Sequence, residues 1–367
     1  MSRERVLVAM SGGVDSSVAA GILVEQGYDV VGATMKLFCH GEDVPDRPCC
    51  SLDSVNDARR VCEQLGIPHY VLNLETRFGH DVVDDFVSEY SRGRTPIPCV
   101  RCNTFTKFRD FVKKADTIDA RWVATGHYAR VSNAELLRGV DENKDQTYFL
   151  WGIDRGILPR LKLPVGDLDK AATRRRAHAM GLEVIADKPE SQEICFVPDG
   201  DYAKILEQKL PPDAPALSPG PIVTSSGAVV GEHKGFARYT IGQRRGVPGG
   251  FSSPMYVIAI RPGDRAVVVG TRDELLGGGL VARELNWLAA PPAVGAPVSI
   301  RVRHRAPLAS AQIVRLDAGE IELALDEPIA AITPGQSLVL YDGSRVLGGG
   351  VIDKALGKRA SLPVLAA

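Results

Sequence analysis

Apolar residues in the first 125 positions fall into short unbroken runs separated by amphipathic stretches, and this succession predicts strands alternating with helices. Arg5-Val-Leu-Val-Ala-Met10 predicts a buried strand, Ser16–Gln26 a helix and Asp29-Val-Val-Gly-Ala-Thr-Met35 a second strand. The alternation continues with a helix around Ser54–Leu65, a strand at His69–Leu74, a helix near Asp81–Tyr90 and a strand at Arg121–Thr125. Strands joined through helices form a parallel sheet covered on both faces, a Rossmann-like α/β unit whose ligands sit at the carboxyl ends of the strands.

The pattern changes after Tyr202–Leu210. Pro211-Pro-Asp-Ala-Pro-Ala-Leu-Ser-Pro-Gly-Pro221 concentrates chain-stiffening residues and marks a domain boundary. Beyond it, Ile222-Val-Thr, Ala228-Val-Val-Gly, Met255–Ile260 and Ala266–Gly270 are short β-type runs between glycine turns. Val298–Val302, Ser310–Leu316, Glu320–Leu325 and Ser337–Tyr341 continue the series. The expected organisation is an α/β catalytic domain over 1–208, a small β-rich central domain over 209–280 and a C-terminal β-barrel over 281–367. No internal repeat is evident.

Composition narrows the class. The 367 residues are 44% hydrophobic and 24% charged, with no apolar run long enough to cross a bilayer. The start, Met1-Ser-Arg-Glu-Arg5, runs straight into a strand pattern without a secretory cleavage signal, which predicts a cytoplasmic protein. A formal charge of −1 requires any nucleic acid to be held by local basic patches. Seven cysteines form an odd count, six of them within the first 102 residues, which argues against a disulfide framework.

Between the first strand and helix lies Ser11-Gly-Gly-Val-Asp-Ser-Ser17, without the lysine of a Walker loop or the spacing of a dinucleotide fingerprint. Gly12 and Gly13 allow a sharp turn close to an anion, and Ser11, Ser16 and Ser17 add hydroxyls at a helix N-terminus. Asp15 there implies either a bridging magnesium or a role in fixing the loop. The heptapeptide resembles the PP-loop of ATP pyrophosphatases, which cleave ATP to AMP and pyrophosphate while adenylating a carbonyl oxygen.

Cys99 and Cys102 stand as Cys-x-x-Cys in Gly93-Arg-Thr-Pro-Ile-Pro-Cys-Val-Arg-Cys-Asn103, where the prolines should hold the loop extended. Half a zinc site, a redox pair and part of an iron–sulfur site all remain open for such a pair. Cys195, in Ser191-Gln-Glu-Ile-Cys-Phe196, is its natural partner. With Gly126-His-Tyr-Ala-Arg130, Lys144-Asp-Gln-Thr-Tyr-Phe-Leu150 and Gly235-Phe-Ala-Arg-Tyr-Thr-Ile-Gly-Gln-Arg-Arg-Gly246, these motifs make the chain similar to the MnmA-type tRNA-specific 2-thiouridylases over nearly its whole length.

That resemblance implies ATP-dependent thiolation of the wobble uridine of tRNA. Cys102 is then the nucleophile and Cys195 the persulfide carrier, joined transiently as a disulfide, with Cys99 supporting them. ATP and magnesium are the implied cofactors, and tRNA and a sulfur-carrier protein or cysteine desulfurase the partners. Ala9, Met10, Ser11, Gly12, Gly13, Val14, Asp15 and Ser16 would surround the phosphates, with Met35 and Gly126 at the adenosine. The implied tRNA contacts are Ile97, Pro98 and Cys99 at the target base, then His127, Lys144, Asp145, Gln146, Arg303, His304 and Gln336. Ile97 and His304 depart from the family's usual asparagine and tyrosine. An iron–sulfur cluster on Cys99, Cys102 and Cys195 is the alternative use of three thiols. Arg174-Arg-Arg176 and the alternating Arg301-Val-Arg-His-Arg305 are candidate phosphate grips. The rival readings are a carbonyl-amidating PP-loop ligase, which would not need the cysteines, and a noncatalytic tRNA-binding module, which would not need an intact phosphate loop.

Overall fold

The computed structural model describes residues 3–38, 52–189, 194–197 and 200–357; Cys39, the Cys49-Cys50 pair and Ser191–Glu193 lie outside them. Strands β1 (Arg5–Ala9), β2 (Asp29–Lys36), β3 (His69–Asn73) and β4 (Trp122–Ala124) are followed by a hairpin, β5 (Ala129–Ser132) and β6 (Glu135–Arg138), and by β7 (Leu161–Lys162). A parallel sheet runs in the order β3-β2-β1-β4-β7. Side chains alternate across it as a period of two demands. Leu7, Val31 and Ala33 enter the main core, while Val6, Val8 and Val30 pack on the opposite face against α1 (Val14–Glu25) and Ala177 of helix Lys170–Ala179. Each such fully buried Val or Leu contributes about 1.5–3 kcal/mol through removal from water.

The central unit is a four-stranded sheet of β8 (Gly220–Thr224), β9 (Val229–His233), β10 (Tyr256–Arg261) and β11 (Ala266–Gly270), ordered β10-β11-β8-β9. The last unit contains β12 (Leu276–Trp287), β13 (Pro297–Arg301), β14 (Ala309–Leu316), β15 (Glu320–Ala330), β16 (Ser337–Asp342) and β17 (Arg345–Leu356). They form a closed antiparallel barrel in the order β12-β15-β14-β13-β16-β17, with β17 returning to β12. The Rossmann-like sheet, β-rich middle and terminal barrel expected from the sequence are all present. Among the described residues no helix is long and apolar enough to cross a membrane.

Two details differ from the sequence reading. β13 ends at Arg301, and 302–306 form bends and turns, so Arg301, Arg303 and Arg305 do not line one strand face. Arg301 turns inward to Asp145 at 3.0 Å, leaving Arg303 and Arg305 exposed. The extended segment before Cys99 stops at Ile97 (φ −116°, ψ 90°), and Pro98 opens a helical turn, Pro98–Arg101. A proline suits the first position of a helix because its missing N–H would have no partner there anyway.

The barrel is docked directly onto the loop that precedes the Cys-x-x-Cys. Thr95 N donates to Pro334 O at 2.9 Å, and Gln336 Nε2 donates to Thr95 O at 2.9 Å. Arg94 reaches Glu89 at 2.6 Å and Asp353 at 3.2 Å, while Asn286 Nδ2 donates to Trp151 O and Ile153 O at 2.7 and 2.9 Å. Gly335 makes the approach close: its φ is +90°, and a Cβ there would stand 2.8 Å from Thr95 N. Gly335→Ala should therefore cost about 1–3 kcal/mol, combining left-handed backbone strain with displacement of Thr95. Urea denaturation monitored by tryptophan fluorescence would read this as a lower midpoint at unchanged slope; a midpoint equal to wild type would refute the clamp.

Candidate active site

The loop Ser11–Gly13 leaves the carboxyl end of β1, and α1 begins at Val14 with Gly13 as an extended N-cap that has no side-chain cap. First-turn amides without such a cap make a ready anion site, reinforced by the helix dipole. The serines do less than expected for a ligand. Ser16 Oγ and Ser17 Oγ donate to Gly13 O at 3.1 and 2.9 Å, and Ser11 N donates to Ser16 Oγ at 3.1 Å, so these hydroxyls staple the loop to itself. Ser11 Oγ, although exposed, lies 3.1 Å from Ser16 Oγ, so backbone N–H groups are what remains to face an anion.

Glycine is required at both walls of this cradle. Gly12 has φ +70°, and a Cβ would fall 2.2 Å from Ser54 O; one on Gly126 would fall 2.5 Å from Ser16 N. Ala9 ends β1, Met10 and Val14 are buried, and Met35 sits 8% exposed in the main core near the end of β2.

Asp15 resolves as a fixed member of the loop. Lys170 Nζ donates to both its oxygens at 2.7 and 3.0 Å, and the Tyr128 hydroxyl donates to Oδ1 at 2.7 Å while lying 3.0 Å from Thr173 Oγ1. Lys188 Nζ donates to Asp57 at 2.7 Å and to Gly12 O at 3.2 Å. Neither lysine was singled out from the sequence, although Lys188 stands only seven residues before Cys195. Of the basic triplet, Arg174 donates to Ala186 O and, at 3.4 Å, to Lys188 O, and Arg176 pairs with Glu25. Arg175 and Arg176 both stay exposed, Arg176 within its surface ion pair, and keep the solvated character expected of a phosphate patch.

The thiols occupy three environments. Cys99 is exposed, Cys195 half-buried, and Cys102 is 6% exposed at the start of a π-helical stretch, Cys102–Arg109. Wider π turns recur at functional sites. Cys102 belongs to the main core, and Cys195 packs against the same cluster. Phe196 anchors the Cys195 segment, its ring 5.2 Å from Phe86, 5.7 Å from Phe78 and 6.1 Å from Phe38. Phe38 lies just past β2 and the phosphate loop just past the adjacent parallel β1, so the Cys195 segment and the loop share one edge of the sheet. Among the described residues no group of three or more His, Cys, Asp or Glu is placed to hold a metal ion.

Of the residues expected at tRNA, Ile97 is half-buried, Pro98 buried, Lys144 half-buried and Arg303 exposed. Gln146 Oε1 accepts from Tyr128 N at 2.8 Å. Asp145 is buried and accepts from Arg301, Arg138, Gly139 N and Thr147, so its carboxylate serves the loop and the barrel. His304 lies over Phe149 with ring centroids 4.3 Å apart, and its buried Nδ1 has no hydrogen-bond partner; burial, then Arg305 and Arg301, lower its pKa. His127 Nδ1 is 2.7 Å from Thr125 Oγ1, and burial, followed by Lys107, pushes its pKa down from 6.5 to about 3.

Residues 4–199 match a family model described as the tRNA methyl transferase HUP domain, 205–271 the corresponding PRC-barrel domain, and 278–352 an aminomethyltransferase beta-barrel domain. The chain is 46% identical to the tRNA-specific 2-thiouridylase MnmA of Rhodospirillum centenum, over 96% of this chain and 92% of that protein. It is likewise 46% identical to the Solibacter usitatus protein of the same name, over 96% and 100% respectively. The Carboxydothermus hydrogenoformans protein of that name is also 46% identical, over 97% and 99%.

The His127 environment predicts a pH dependence of stability. Its folded pKa lies below the unfolded value, so the unfolded chain binds more protons between the two, and stability from this group declines as pH falls from 6.5 toward about 3. His127→Gln should flatten the unfolding midpoint measured at pH 4.5, 5.5, 6.5 and 7.5. A variant with the wild-type slope would show that the imidazole titrates normally.

Proposed function

The chain belongs to the tRNA-specific 2-thiouridylase family of tRNA sulfurtransferases, and from that membership we propose that it uses ATP to activate C2 of the wobble uridine (U34) for sulfur attack in the cytoplasm. The observation that carries the reading is a phosphate loop without a side-chain cap at the same edge of the sheet as the Cys195 segment, with Cys102 and Cys195 both packed on one core cluster. A methyl transferase, the wording of the matching family models, would have no use for that combination.

Uridine C2 is a urea-like carbonyl whose oxygen leaves poorly, so activation precedes substitution. O2 attacks the α-phosphorus, the bond to the β-phosphate oxygen breaks, and pyrophosphate leaves with the electron pair. The first-turn amides of α1 and the Gly12–Gly126 cradle would hold the phosphates, and magnesium would neutralise their charge through phosphate oxygens. A sulfur-carrier protein or cysteine desulfurase loads Cys195 as a persulfide. The Cys102 thiolate then attacks Cys195 Sγ, forming the Cys102–Cys195 disulfide and releasing hydrosulfide. Adenylation releases the N3 proton to solvent; hydrosulfide then adds to C2, AMP departs with the C–O pair, and the S–H proton moves to N3 to give the 2-thiouridine tautomer. A two-electron reductant resets the disulfide. Cys99, exposed beside Cys102, is suited to meet the base together with Ile97 and Pro98.

For tRNA, Arg303 supplies an exposed cation, the half-buried His127, Lys144 and Gln146 supply further polar groups, His304 supplies a stacking ring, and Asp145 and Gln336 hold the loops from which others project. Cys195→Ser should accept no labelled sulfur from a cysteine desulfurase, whereas Cys102→Ser should accept it and stall. Peptide mass spectrometry locates the label and nucleoside analysis measures 2-thiouridine. Normal thiolation by Cys102→Ser would remove it as nucleophile, and label on Cys99 in place of Cys195 would overturn the order of transfer.

A further inference from the structure

Two lysines meet the phosphate loop, and their surroundings differ in a way that assigns them different work. Lys170 binds both oxygens of Asp15, has a side chain 14% exposed, and neutralises a carboxylate that would otherwise repel phosphate. Lys188 is arranged otherwise. Its ammonium touches the Gly12 carbonyl at 3.2 Å, one residue before the N-cap of α1, and shares Asp57 with a second cation. Arg60 stands 3.6 Å from the other oxygen of Asp57, so that carboxylate keeps a counter-ion if Lys188 turns away. The Lys188 side chain is 32% exposed, and its main-chain carbonyl, like that of Ala186, is gripped by Arg174 of helix Lys170–Ala179.

We propose that Lys188 is a pyrophosphate-binding residue of the ATP site, exchanging Asp57 for the β- and γ-phosphates when nucleotide enters. The proposal rests on the ATP-dependent reading above and adds a cation to a loop that lacks the lysine of a Walker sequence. An ammonium bonded to the Gly12 carbonyl needs only a rotation of its flexible stem to meet an anion on the adjacent amides. Its part in the reaction is electrostatic. As O2 bonds to the α-phosphorus and the leaving bond breaks, negative charge grows on pyrophosphate, and Lys188 stabilises it while keeping its own proton. Asp57 is the resting partner that holds the side chain beside the loop.

The test uses the full-length protein with magnesium pyrophosphate, ATP and AMP as probes. Lys188→Gln should weaken pyrophosphate binding and slow tRNA-dependent AMP formation by about a hundredfold, while AMP and tRNA bind as in wild type. Lys188→Arg should recover part of that loss, since it restores the charge with altered geometry. Asp57→Asn releases the lysine and should tighten pyrophosphate binding several-fold; a merely structural ion pair would instead lower the unfolding midpoint with no gain in binding. On the unmodified enzyme, pyrophosphate should protect Lys188 from acetylation by acetic anhydride, mapped by peptide mass spectrometry, and AMP should not. Wild-type pyrophosphate affinity in Lys188→Gln, or equal labelling with and without pyrophosphate, overturns the assignment. A wild-type enzyme that forms no AMP at all would instead sink the ATP-dependent reading on which it stands.

Discussion

A carboxylate in the first turn of α1 opposes the very charge that the helix end is shaped to receive, and the Asp15–Lys170 ion pair removes the conflict. Much else follows from that pair. Lys170 opens the helix that packs on α1, Thr173 of the same helix meets the Tyr128 hydroxyl, and Arg174 of that helix grips the segment containing Lys188. Tyr128 and Gly126 come from the stretch after β4, so the ends of two neighbouring strands close on one helix terminus. The loop is organised before any ligand arrives, which reduces the ordering cost of binding.

A second joint connects this chemistry to the barrel. Asp145 is buried with Arg301, and breaking such a pair on one side typically costs about 3–5 kcal/mol because a charge is left without compensation. Its other donors, Arg138, Gly139 N and Thr147, all lie on the hairpin and turn that carry Lys144 and Gln146. The barrel thus sets the shape of a loop belonging to the catalytic domain. On the far side Pro334–Gln336 does the same for Thr95, upstream of Cys99 and Cys102.

The parallel sheet was legible because its strands are uninterrupted apolar runs, and the phosphate loop because glycine and serine follow the first of them directly. β12 and β17 were not, since Gly277-Gly-Gly279 and Gly348-Gly-Gly350 erase the alternation by which a strand is recognised. Those glycines serve barrel closure: a Cβ on Gly348 would fall 2.3 Å from Asn286 O on the facing strand. The β5–β6 hairpin also escaped notice, being four residues to a side. Among site residues, the cysteines carry their chemistry in their type, whereas Lys170 and Lys188 are ordinary lysines until the fold brings them across 155 and 176 positions to the loop.

The last described strand has an effect on the order in which the molecule can be completed. β17 pairs with β16, closes the barrel on β12 and receives the β5–β6 hairpin through Leu137 and Arg345. During synthesis the hairpin leaves the ribosome some two hundred residues before its barrel neighbour, and Thr95 still earlier than Pro334. Contacts of such long sequence separation form late. A chain interrupted before β17 would carry the parallel sheet and the Cys102 segment beside an open barrel edge. Translation to that strand is therefore what closes the barrel and gives the β5–β6 hairpin its neighbour.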